Sequence, residues 1–388
     1  MDWNKIDFSK LPSPCYVIDC DILKNNLRIM KQHCDILRLK PLIAIKGFPL
    51  ALIFKEMAPY IYGLSASSFF EARLGKHLGK EIHIHAPAYR ADEIEEIGGL
   101  CDHIVFNSLS QWQRYHNNVI KNTHNTSIGL RINPEYSEID TKIYNPCTPY
   151  SRFGVTKEDL NHQIIENIDG FHLHAMYDHD AKTFARVIDS LLDKFEIYLP
   201  HLSWINLGGG QRLADDDYQI DILQEKISKL TTEFGLDVYV EPCEAIVTDC
   251  GYLVSTVLDV VKNKRETAIL DISAPCHMPD VLEMPYRPDI EFPSCGNQGN
   301  YSYYFAGVSC WLAILLGNIV LIHQFKLETK LFFQKWEHTR SLKKIILTVL
   351  IILQLFCTIK KMDSILPNSL VIKIMSLNIF EKLFYFHI

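Results

Sequence analysis

The sequence predicts an α/β protein whose main domain is a (β/α)8 barrel, the TIM-barrel fold. The first observation is that short apolar runs bounded by turn residues alternate with helical patterns through the first two thirds of the 388 residues. Strands that alternate with helices form right-handed βαβ units around a parallel sheet. The second observation is that eight such runs lie between residues 42 and 241, and a barrel of this kind takes about 250 residues. A doubly wound open sheet is the alternative fold.

Each predicted strand is a short, mostly apolar run with turn residues on either side. Runs of this kind are typical of strands that are buried on both faces of a parallel sheet. In chain order the predicted strands are Leu42–Lys46, Tyr62–Ser67, Ile82–Ala86, His103–Asn107, Ile128–Asn133, Phe171–Met176, Trp204–Leu207 and Asp237–Glu241. Helical patterns lie between them, and the clearest are Ser68–Leu78, Leu109–Asn118, Ala181–Phe195 and Tyr218–Phe234.

The third observation concerns the residues at which these strands end. In a (β/α)8 barrel the chemistry lies at the carboxyl ends of the strands. Nearly every predicted strand delivers a polar residue or a glycine there, which favours an enzyme. The residues are Lys46, Ser67, His85, Asn107, Arg131 with Asn133, His174, Gly208–Gly210 and Glu241.

A second, β-rich domain follows the barrel. Gly251–Val261 and Thr267–Ile272 are predicted strands, and Cys15–Asp19 near the amino terminus could join them. The predicted division is therefore residues 1–22 for the N-terminal strand, 23–245 for the barrel, 246–310 for the C-terminal β domain and 311–388 for an apolar and basic tail.

Composition excludes several classes of protein. The net charge of −7 and the pI near 6.1 argue against nucleic-acid binding. The 11 cysteines form no CxxC pair, which favours reduced thiols over a disulfide scaffold. The amino-terminal residues contain no apolar h-region of a signal peptide. We therefore expect a cytoplasmic protein that binds neither nucleic acid nor membranes.

The composition changes near residue 310. From Trp311 onward only Gly317 and Pro367 remain of the turn-forming glycines and prolines, and Ile, Leu, Phe and Lys dominate. We interpret this as a shift of reading frame at or just after Cys310, which disrupts the C-terminal part of the β domain. The alternative is a membrane tail at Ile345–Ile359, but 15 residues are fewer than the roughly 20 that span a bilayer.

Three features of the strand ends suggest a cofactor site, although each has a structural alternative. A partly desolvated Lys46 could react with an aldehyde, or it could be a surface lysine at a strand end. Gly208–Gly210 could bind phosphate through backbone N–H groups, or it could form only a tight turn. Glu241 could pair with a protonated ring nitrogen, or it could cap or pair with another residue.

Two histidine pairs raise the possibility of a metal site. His83 and His85 alternate along one strand, and so do His172 and His174, so each pair faces one side. A compact set of His, Asp and Glu ligands at helical spacing is missing. We therefore expect no metal, and we favour a ring-stacking or structural role for His174. The polar loop Asp271–Pro288 is functional or simply solvated.

Motifs from residue 11 to about residue 310 carry a family resemblance. They are SPCYVID, IAIKGF, LSASSFFEARLG, HIHAPAYR, FNS, GLRINP, NPC, SRFGV, FHLHAM, NLGGG, EPCEA and CHMPDVLEMPYRP. On these motifs the chain resembles the fold-type III pyridoxal-phosphate decarboxylases, which have an alanine-racemase-like barrel. Within that group it is most similar to the carboxynorspermidine (carboxyspermidine) decarboxylases of polyamine synthesis. The last motif is the most specific one.

The resemblance implies a cofactor, pyridoxal 5′-phosphate (PLP), and a role for each matching residue. Lys46 would hold the PLP aldehyde covalently, His174 would stack on the pyridine ring, and Gly208, Gly209 and Gly210 would bind the phosphate. Glu241 would keep the pyridine nitrogen protonated. Two residues depart from the pattern: Cys243 replaces a usual glycine, and Glu244 stands where diaminopimelate-type relatives have arginine.

The resemblance also implies a homodimer with shared active sites. Gly307–Cys310 fits a GxxC pattern whose cysteine enters the neighbouring subunit's site. Asp280 and Glu283 would suit a cationic polyamine substrate, and His277 and Arg287 complete the predicted substrate residues. The expected function is decarboxylation of carboxynorspermidine or carboxyspermidine. The alternatives are a diaminopimelate-type or other basic amino-acid decarboxylase, and a PLP-binding protein made inactive by its altered C-terminus.

Overall fold

A closed barrel of eight parallel strands forms the centre of the computed structural model. The structure describes residues 10–47, 51–122, 126–160, 162–278, 280–283, 290–291, 301–309, 315–321 and 329–333. Barrel strands β2 to β9 pair in chain order, and β2 closes the ring against β9. The predicted (β/α)8 barrel is therefore confirmed, and the open-sheet alternative is wrong, because an open sheet would leave two edge strands unpaired.

The strands are β1 Cys15–Ile18, β2 Leu39–Ala44, β3 Gly63–Ala66, β4 Glu81–His85, β5 His103–Phe106, β6 Ser127–Arg131, β7 Gly170–His172, β8 Trp204–Asn206, β9 Asp237–Val240, β10 Gly251–Asn263, β11 Arg265–Leu270, β12 Ile290–Glu291, β13 Tyr301–Gly307, β14 Leu315–Leu321 and β15 Lys330–Phe333.

The helices are α1 Cys20–Leu37, α2 Ala51–Met57, α3 Phe69–Lys76, α4 Ile94–Leu100, α5 Leu109–Asn122, α6 His162–Ile165, α7 Ala181–Phe195, α8 Asp221–Ser228, α9 Cys243–Val247, α10 Ala274–His277 and α11 Asp280–Glu283. No helix in these described parts of the chain is long and apolar enough to cross a membrane.

Helix α7 illustrates how the sequence specifies the outer layer. The Asp180 side chain accepts a hydrogen bond from the Thr183 N–H at 2.9 Å, which caps the first turn. Apolar residues then recur every three or four positions, as an amphipathic helix requires. They are Phe184, Val187, Ile188, Leu191 and Phe195, and all are buried. The predicted helix Tyr218–Phe234 is shorter at its start, since α8 begins at Asp221, and it ends in a π turn at Lys229–Glu233.

Trp204 fills the amino-terminal end of the barrel. It is 3% exposed and packs in one core cluster with Leu42, Val105 and Tyr239. Its indole Nε1 donates a hydrogen bond to Ser127 Oγ at 2.8 Å, so the polar end of the ring also has a partner.

Glycine at position 170 makes room for this ring, which leads to a prediction about stability. A β-carbon on Gly170 would lie 2.1 Å from Trp204 Cδ2, inside the rigid indole. We expect Gly170→Ala to lower the free energy of unfolding by about 1–3 kcal/mol or more, the usual cost of overpacking a core. Urea unfolding followed by circular dichroism measures it.

The matched control is Gly99→Ala on helix α4, where an added β-carbon meets no atom within 4 Å. Alanine is the better helix former, so this control should be neutral or stabilising by up to about 1 kcal/mol. Equal effects of the two alanines would contradict the packing explanation.

A separate antiparallel-rich sheet forms the second compact unit. Its strand order is β12-β15-β10-β11-β13-β14, with β1 also pairing with β10. In register, Cys15 lies opposite Val254 and Ile18 opposite Gly251, so the N-terminal strand joins this sheet as expected. The barrel unit comprises Asn26–Phe48 and Phe54–Ile246, and the β unit contains the described residues before and after it together with residues 51–53.

The sheet continues beyond Cys310, which corrects the predicted end of the β domain. Strand β14 pairs with β13, and β15 pairs with both β10 and β12. Leu331, Phe332 and Phe333 are all buried in this sheet. Residues 315–321 and 330–333 therefore belong to this β sheet, and the shift of reading frame stays a prediction. The rest of the predicted tail, with Ile345–Ile359, lies outside the described residues.

Candidate active site

Lys46 lies just past the carboxyl end of strand β2, in a short 3-10 turn at Ile45–Gly47. The turn packs against the first residue of helix α9. A β-carbon on Gly47 would lie 2.5 Å from Cys243 Sγ, so the absence of a side chain at Gly47 is what makes room for this cysteine. Cys243 is buried, and its thiol contacts the Ala44 carbonyl oxygen at 3.4 Å. The departure at Cys243 is thus accommodated by Gly47.

Glu71 is a buried carboxylate close to Lys46 that the sequence analysis missed as a site residue. It is the third residue of helix α3; its Oε2 accepts the Ser67 N–H at 2.8 Å, and its own N–H donates to Ser68 Oγ at 3.3 Å. Burial raises the pKa of Glu71, while the Ser67 hydrogen bond and the Lys46 charge oppose that rise. The S-x-x-E capping pattern of residues 68–71 was the available signal.

The glycine turn follows strand β8 at the same end of the barrel. Gly208 and Gly210 have φ of +67° and +98°, a region that favours glycine. A β-carbon on Gly209 would lie 2.5 Å from the Glu241 carbonyl oxygen. The Gly209 N–H donates to His174 Nδ1 at 3.0 Å. His174 therefore carries its proton on Nε2 when neutral, and its ring is tied to the turn.

Glu241 follows strand β9 and is 9% exposed. Its Oε1 accepts a hydrogen bond from Asn206 Nδ2 at 2.9 Å. The other end of the Asn206 amide accepts the Gly208 N–H at 2.8 Å. The sequence analysis missed Asn206, and its signal was its position in NLGGG, directly ahead of the glycine turn. One amide thus links the predicted phosphate turn to the predicted partner of the ring nitrogen.

Three histidines form a stack inside the barrel below this network. The ring centroids of His85 and His172 are 4.8 Å apart, and those of His172 and His174 are 6.5 Å apart. Burial lowers the pKa of His85 and of His172 well below the ordinary histidine value. Both are neutral at pH 7. His172 Nε2 lies 3.8 Å from Glu241 Oε1, so it is a neutral neighbour of that carboxylate.

Arg131 places a buried cation beside His174. It is 5% exposed, its Nη2 donates to the His174 carbonyl oxygen at 3.4 Å, and its guanidinium lies 4.4 Å from the Phe153 ring centroid. Burial lowers the pKa of Arg131 to about 10, so it remains charged at pH 7. Our strand-end pattern included Arg131 but gave it no role.

The residues of the barrel mouth fit PLP. A lysine, an imidazole of fixed orientation, a glycine turn and a buried carboxylate lie at one end of the same barrel. Two buried nitrogens nearby, His85 Nε2 and His172 Nδ1, have no hydrogen-bond partner within the described chain. Buried polar atoms normally have partners, so these two nitrogens could bond to polar groups of a ligand.

The predicted substrate residues lie in the β unit. His277 ends helix α10, and its Nδ1 accepts the Ser273 N–H at 3.1 Å. Burial lowers the pKa of His277. Asp280 and Glu283 are the first and last residues of helix α11. Arg287 and Cys310 lie outside the described residues.

Glu81, His83 and His103 form a further polar cluster at the opposite, amino-terminal end of the barrel. Their possible ligand atoms lie within 4.8 Å of one another. The two imidazoles are stacked, with centroids 3.8 Å apart and planes 9° from parallel, so their in-plane lone pairs cannot meet at one ion unless a ring rotates. Instead, His83 Nε2 contacts Glu81 Oε1 at 2.7 Å.

This histidine pair should make the protein sensitive to acid. Burial lowers the pKa of both His83 and His103 to about 3, whereas the unfolded chain keeps the ordinary value of about 6.5. Protons therefore bind the unfolded chain first, and stability is lost as pH falls from about 6.5 to 3. Each histidine should contribute a slope of about 1.4 kcal/mol per pH unit.

Urea unfolding at a series of pH values measures this slope. His103→Asn should reduce it by about one histidine's share, whereas His201→Asn, at an exposed position, should leave it unchanged. An unaltered slope in His103→Asn would contradict the assignment.

Comparisons with known proteins bear on the chemistry of this site. Over 338 residues the chain is 37% identical to carboxyaminopropylagmatine decarboxylase of Synechocystis sp., covering 86% of this chain and 87% of the relative. Over 348 residues it is 31% identical to carboxynorspermidine/carboxyspermidine decarboxylase of Campylobacter jejuni, covering 87% and 90%. No family model matches the chain.

Solved structures agree with these relatives. The crystal structure of Campylobacter jejuni carboxynorspermidine decarboxylase in complex with norspermidine superposes with a TM-score of 0.79 at 27% identity, covering 96% of this chain and 99% of that one. An SrLDC variant in complex with PLP superposes with a TM-score of 0.68 at 17% identity, covering 85% and 87%. The latter likeness is evidence for the fold alone.

Proposed function

This chain belongs to the carboxynorspermidine/carboxyspermidine decarboxylase family, and from that premise we propose that it uses PLP to remove CO2 from a carboxylated polyamine. The family is one of carboxy-lyases of polyamine synthesis. Diaminopimelate decarboxylase shares the fold at 16–17% identity, which supports no common substrate. The cofactor, the substrate and the site residues are the elements of the proposal.

Four groups at the barrel mouth would hold PLP. Lys46 would bind its aldehyde covalently, and the glycine turn Gly208–Gly210 would bind its phosphate. Since the Gly208 and Gly209 N–H groups donate to Asn206 and His174, the Gly210 N–H would be the turn's donor to the phosphate. The His174 ring would pack against the pyridine ring, in the orientation set by the Gly209 N–H. When bound, PLP supplies a ring that accepts the electron pair released as CO2 leaves.

Glu241 would hold a proton on the ring nitrogen of PLP. Its carboxylate is buried, with one oxygen fixed by Asn206, and a buried carboxylate interacts strongly with a neighbouring N–H⁺. The neutral state of His172 leaves Glu241 without a competing charged imidazole. Arg131, also charged and buried, would stabilise anionic groups of the ligand.

The observation that carries the proposal is the hydrogen-bonded connection among three of these groups. His174 is bonded to Gly209, and Gly208 is bonded through Asn206 to Glu241. A tight turn or a capping glutamate would not need this connection to an imidazole at the same barrel end. It is the arrangement expected of residues that bind a single planar, phosphorylated ligand.

The substrate would be a polycationic amine that carries one carboxylate. Asp280 and Glu283 would bind its ammonium groups, and His277 and Arg287 would complete the substrate site. A second candidate is carboxyaminopropylagmatine, because the Synechocystis relative that carries this name is 37% identical, against 31% for the Campylobacter one. Both candidates share a cationic chain and a carboxylate on a carbon that bears an amino group.

To test this proposal, the purified protein is incubated with PLP and, in parallel reactions, with carboxynorspermidine, carboxyspermidine or carboxyaminopropylagmatine. Release of CO2 and the matching amine, separated by chromatography, identifies the substrate. Diaminopimelate, ornithine and arginine are the controls. Absence of turnover with all three carboxylated amines, in protein that binds PLP, would leave the inactive PLP-binding alternative and refute the enzyme.

We also propose a cytoplasmic homodimer in which Cys310 of each subunit reaches the other subunit's site. The eight cysteines that the structure describes are thiols, which suits a reducing compartment. Sedimentation should give twice the 44.8 kDa chain mass. Mixing Lys46→Ala with Cys310→Ala subunits should restore activity that neither variant has alone; no restoration would refute the shared site.

A further inference from the structure

Asn206 stands out among the buried polar side chains because it joins two site groups that belong to different strands. It is the last residue of β8 and is 1% exposed. Its Nδ2 donates to Glu241 Oε1 at 2.9 Å, and its Oδ1 accepts the Gly208 N–H at 2.8 Å. Hydrogen bonds in a buried position are stronger than in water, so both contribute to the orientation of their partners.

The orientation of the amide is set by its partners. A backbone N–H can only donate, so Oδ1 must face Gly208. An ionised carboxylate can only accept, so Nδ2 must face Glu241. Aspartate would present an acceptor to a carboxylate, and leucine would leave both partners unsatisfied. Asparagine is the residue of this size with a donor and an acceptor at the two required ends.

The backbone around Asn206 is held independently of its side chain. The Glu241 N–H donates to the Gly208 carbonyl oxygen at 2.8 Å, and the Leu207 N–H donates to the Tyr239 carbonyl oxygen at 2.9 Å. The Asn206 carbonyl oxygen accepts the Leu173 N–H at 2.7 Å. Loss of the amide would therefore free the Glu241 carboxylate while the strands and the turn keep their pairing.

We propose that Asn206 is a positioning residue for the decarboxylation: its side chain fixes the Glu241 carboxylate at a set distance from the glycine turn. This inference rests on the proposed function. A cofactor that is bound by its phosphate at one end and by its ring nitrogen at the other needs these two groups at a constant separation. The amide supplies that separation, and its N–H also stabilises the negative charge of Glu241.

Two substitutions separate the two hydrogen bonds. Asn206→Ala removes both. Asn206→Ser keeps a hydroxyl that can accept an N–H two residues on, as serine does in local turns, but it is too short to reach Glu241. If Asn206 acts through Glu241, both variants should show the same defect, whereas a role confined to the turn predicts that serine restores function.

The first measurement is the absorption spectrum of bound PLP between pH 6 and 9, with PLP affinity measured in parallel. In both variants we expect the spectral change that follows loss of the proton from the ring nitrogen of PLP to move to lower pH by about one unit. The affinity for PLP should fall less than about tenfold. Asn133→Ala is the matched control. Asn133 is also buried, and among the described residues its side chain bonds backbone groups alone, Phe153 O at 3.1 Å and Glu135 N at 2.8 Å. Its loss should therefore leave the spectrum unchanged.

The second measurement is a double-mutant cycle with Glu241→Gln. Asn206→Ala should lower kcat about 10- to 100-fold with little change in KM, and it should lower kcat less than about threefold in the Glu241→Gln background. Three results, each in protein that folds and binds PLP, would overturn the inference. They are losses in kcat from Asn206→Ala and Glu241→Gln that multiply fully, normal function of Asn206→Ser, and an unshifted PLP spectrum. A wild-type protein that fails to bind PLP would overturn the proposed function as well.

Discussion

Replacement of Lys46 by alanine is expected to remove decarboxylation, with a loss of at least about 10³-fold in kcat/KM. The physical reason is that Lys46 would hold the cofactor covalently and in a fixed orientation, which positions it for reaction with the substrate amine. Without that amine, the glycine turn, His174 and Glu241 would have to hold PLP by noncovalent contacts. A loss of this size corresponds to about 4 kcal/mol of transition-state stabilisation.

Borohydride reduction of the wild-type protein, followed by peptide mass analysis, should place the cofactor on the peptide that contains Lys46. Lys55→Ala, at an exposed position of helix α2, should retain full activity and the same label. Labelling of another lysine, together with normal PLP binding by Lys46→Ala, would refute the assignment.

Replacement of Glu241 by glutamine should slow turnover by about 10³-fold while weakening PLP binding much less. Glutamine matches glutamate in size and can still accept the Asn206 N–H, so the packing is kept and only the charge is lost. The ring nitrogen then loses the partner that favours its protonated form. A fall of three units in the pKa of that nitrogen corresponds to about 4 kcal/mol, which is about a thousandfold in rate.

The measurement compares kcat, KM and PLP affinity for Glu241→Gln and for Glu233→Gln, an exposed glutamate near the end of the π turn. The Glu233 variant should match wild type in all three. An unchanged kcat in Glu241→Gln would show that the carboxylate has no part in electron withdrawal, whatever its contribution to binding.

The eight barrel strands could be predicted in order because their signal is local. Each buried parallel strand is a short apolar run, and the turn residues around it mark its ends. The observed strand Gly170–His172 is shorter than the predicted Phe171–Met176, although the Leu173 N–H still donates to the Asn206 carbonyl oxygen just past its end. Four-residue strand β15 was not predicted, because the apolar run Leu331–Phe333 does not stand out in a tail rich in Ile, Leu and Phe.

Within the candidate site, the sequence could predict only those residues whose own side chains carry the reactive or charged group. Lys46, His174 and Glu241 stand at strand ends and carry reactive groups, so position and residue type together indicate them. Asn206 and Glu71 were missed because their importance comes from their partners. An asparagine at a strand end gives no sign that a carboxylate from the next strand lies 2.9 Å away, since that contact depends on the closure of the barrel.

The packing of Cys243 against Gly47 allows local opening of the protein near Lys46 to be measured through a native thiol. A thiol reacts with an alkylating reagent only while solvent reaches it, so the labelling rate of a buried cysteine measures how often its surroundings open. Cys243 is buried beside the turn that carries Lys46, whereas Cys276 is exposed. The ratio of the Cys243 and Cys276 labelling rates therefore measures how often the turn that carries Lys46 opens, without any added probe. A ligand that keeps this turn closed would slow the reaction of Cys243 alone.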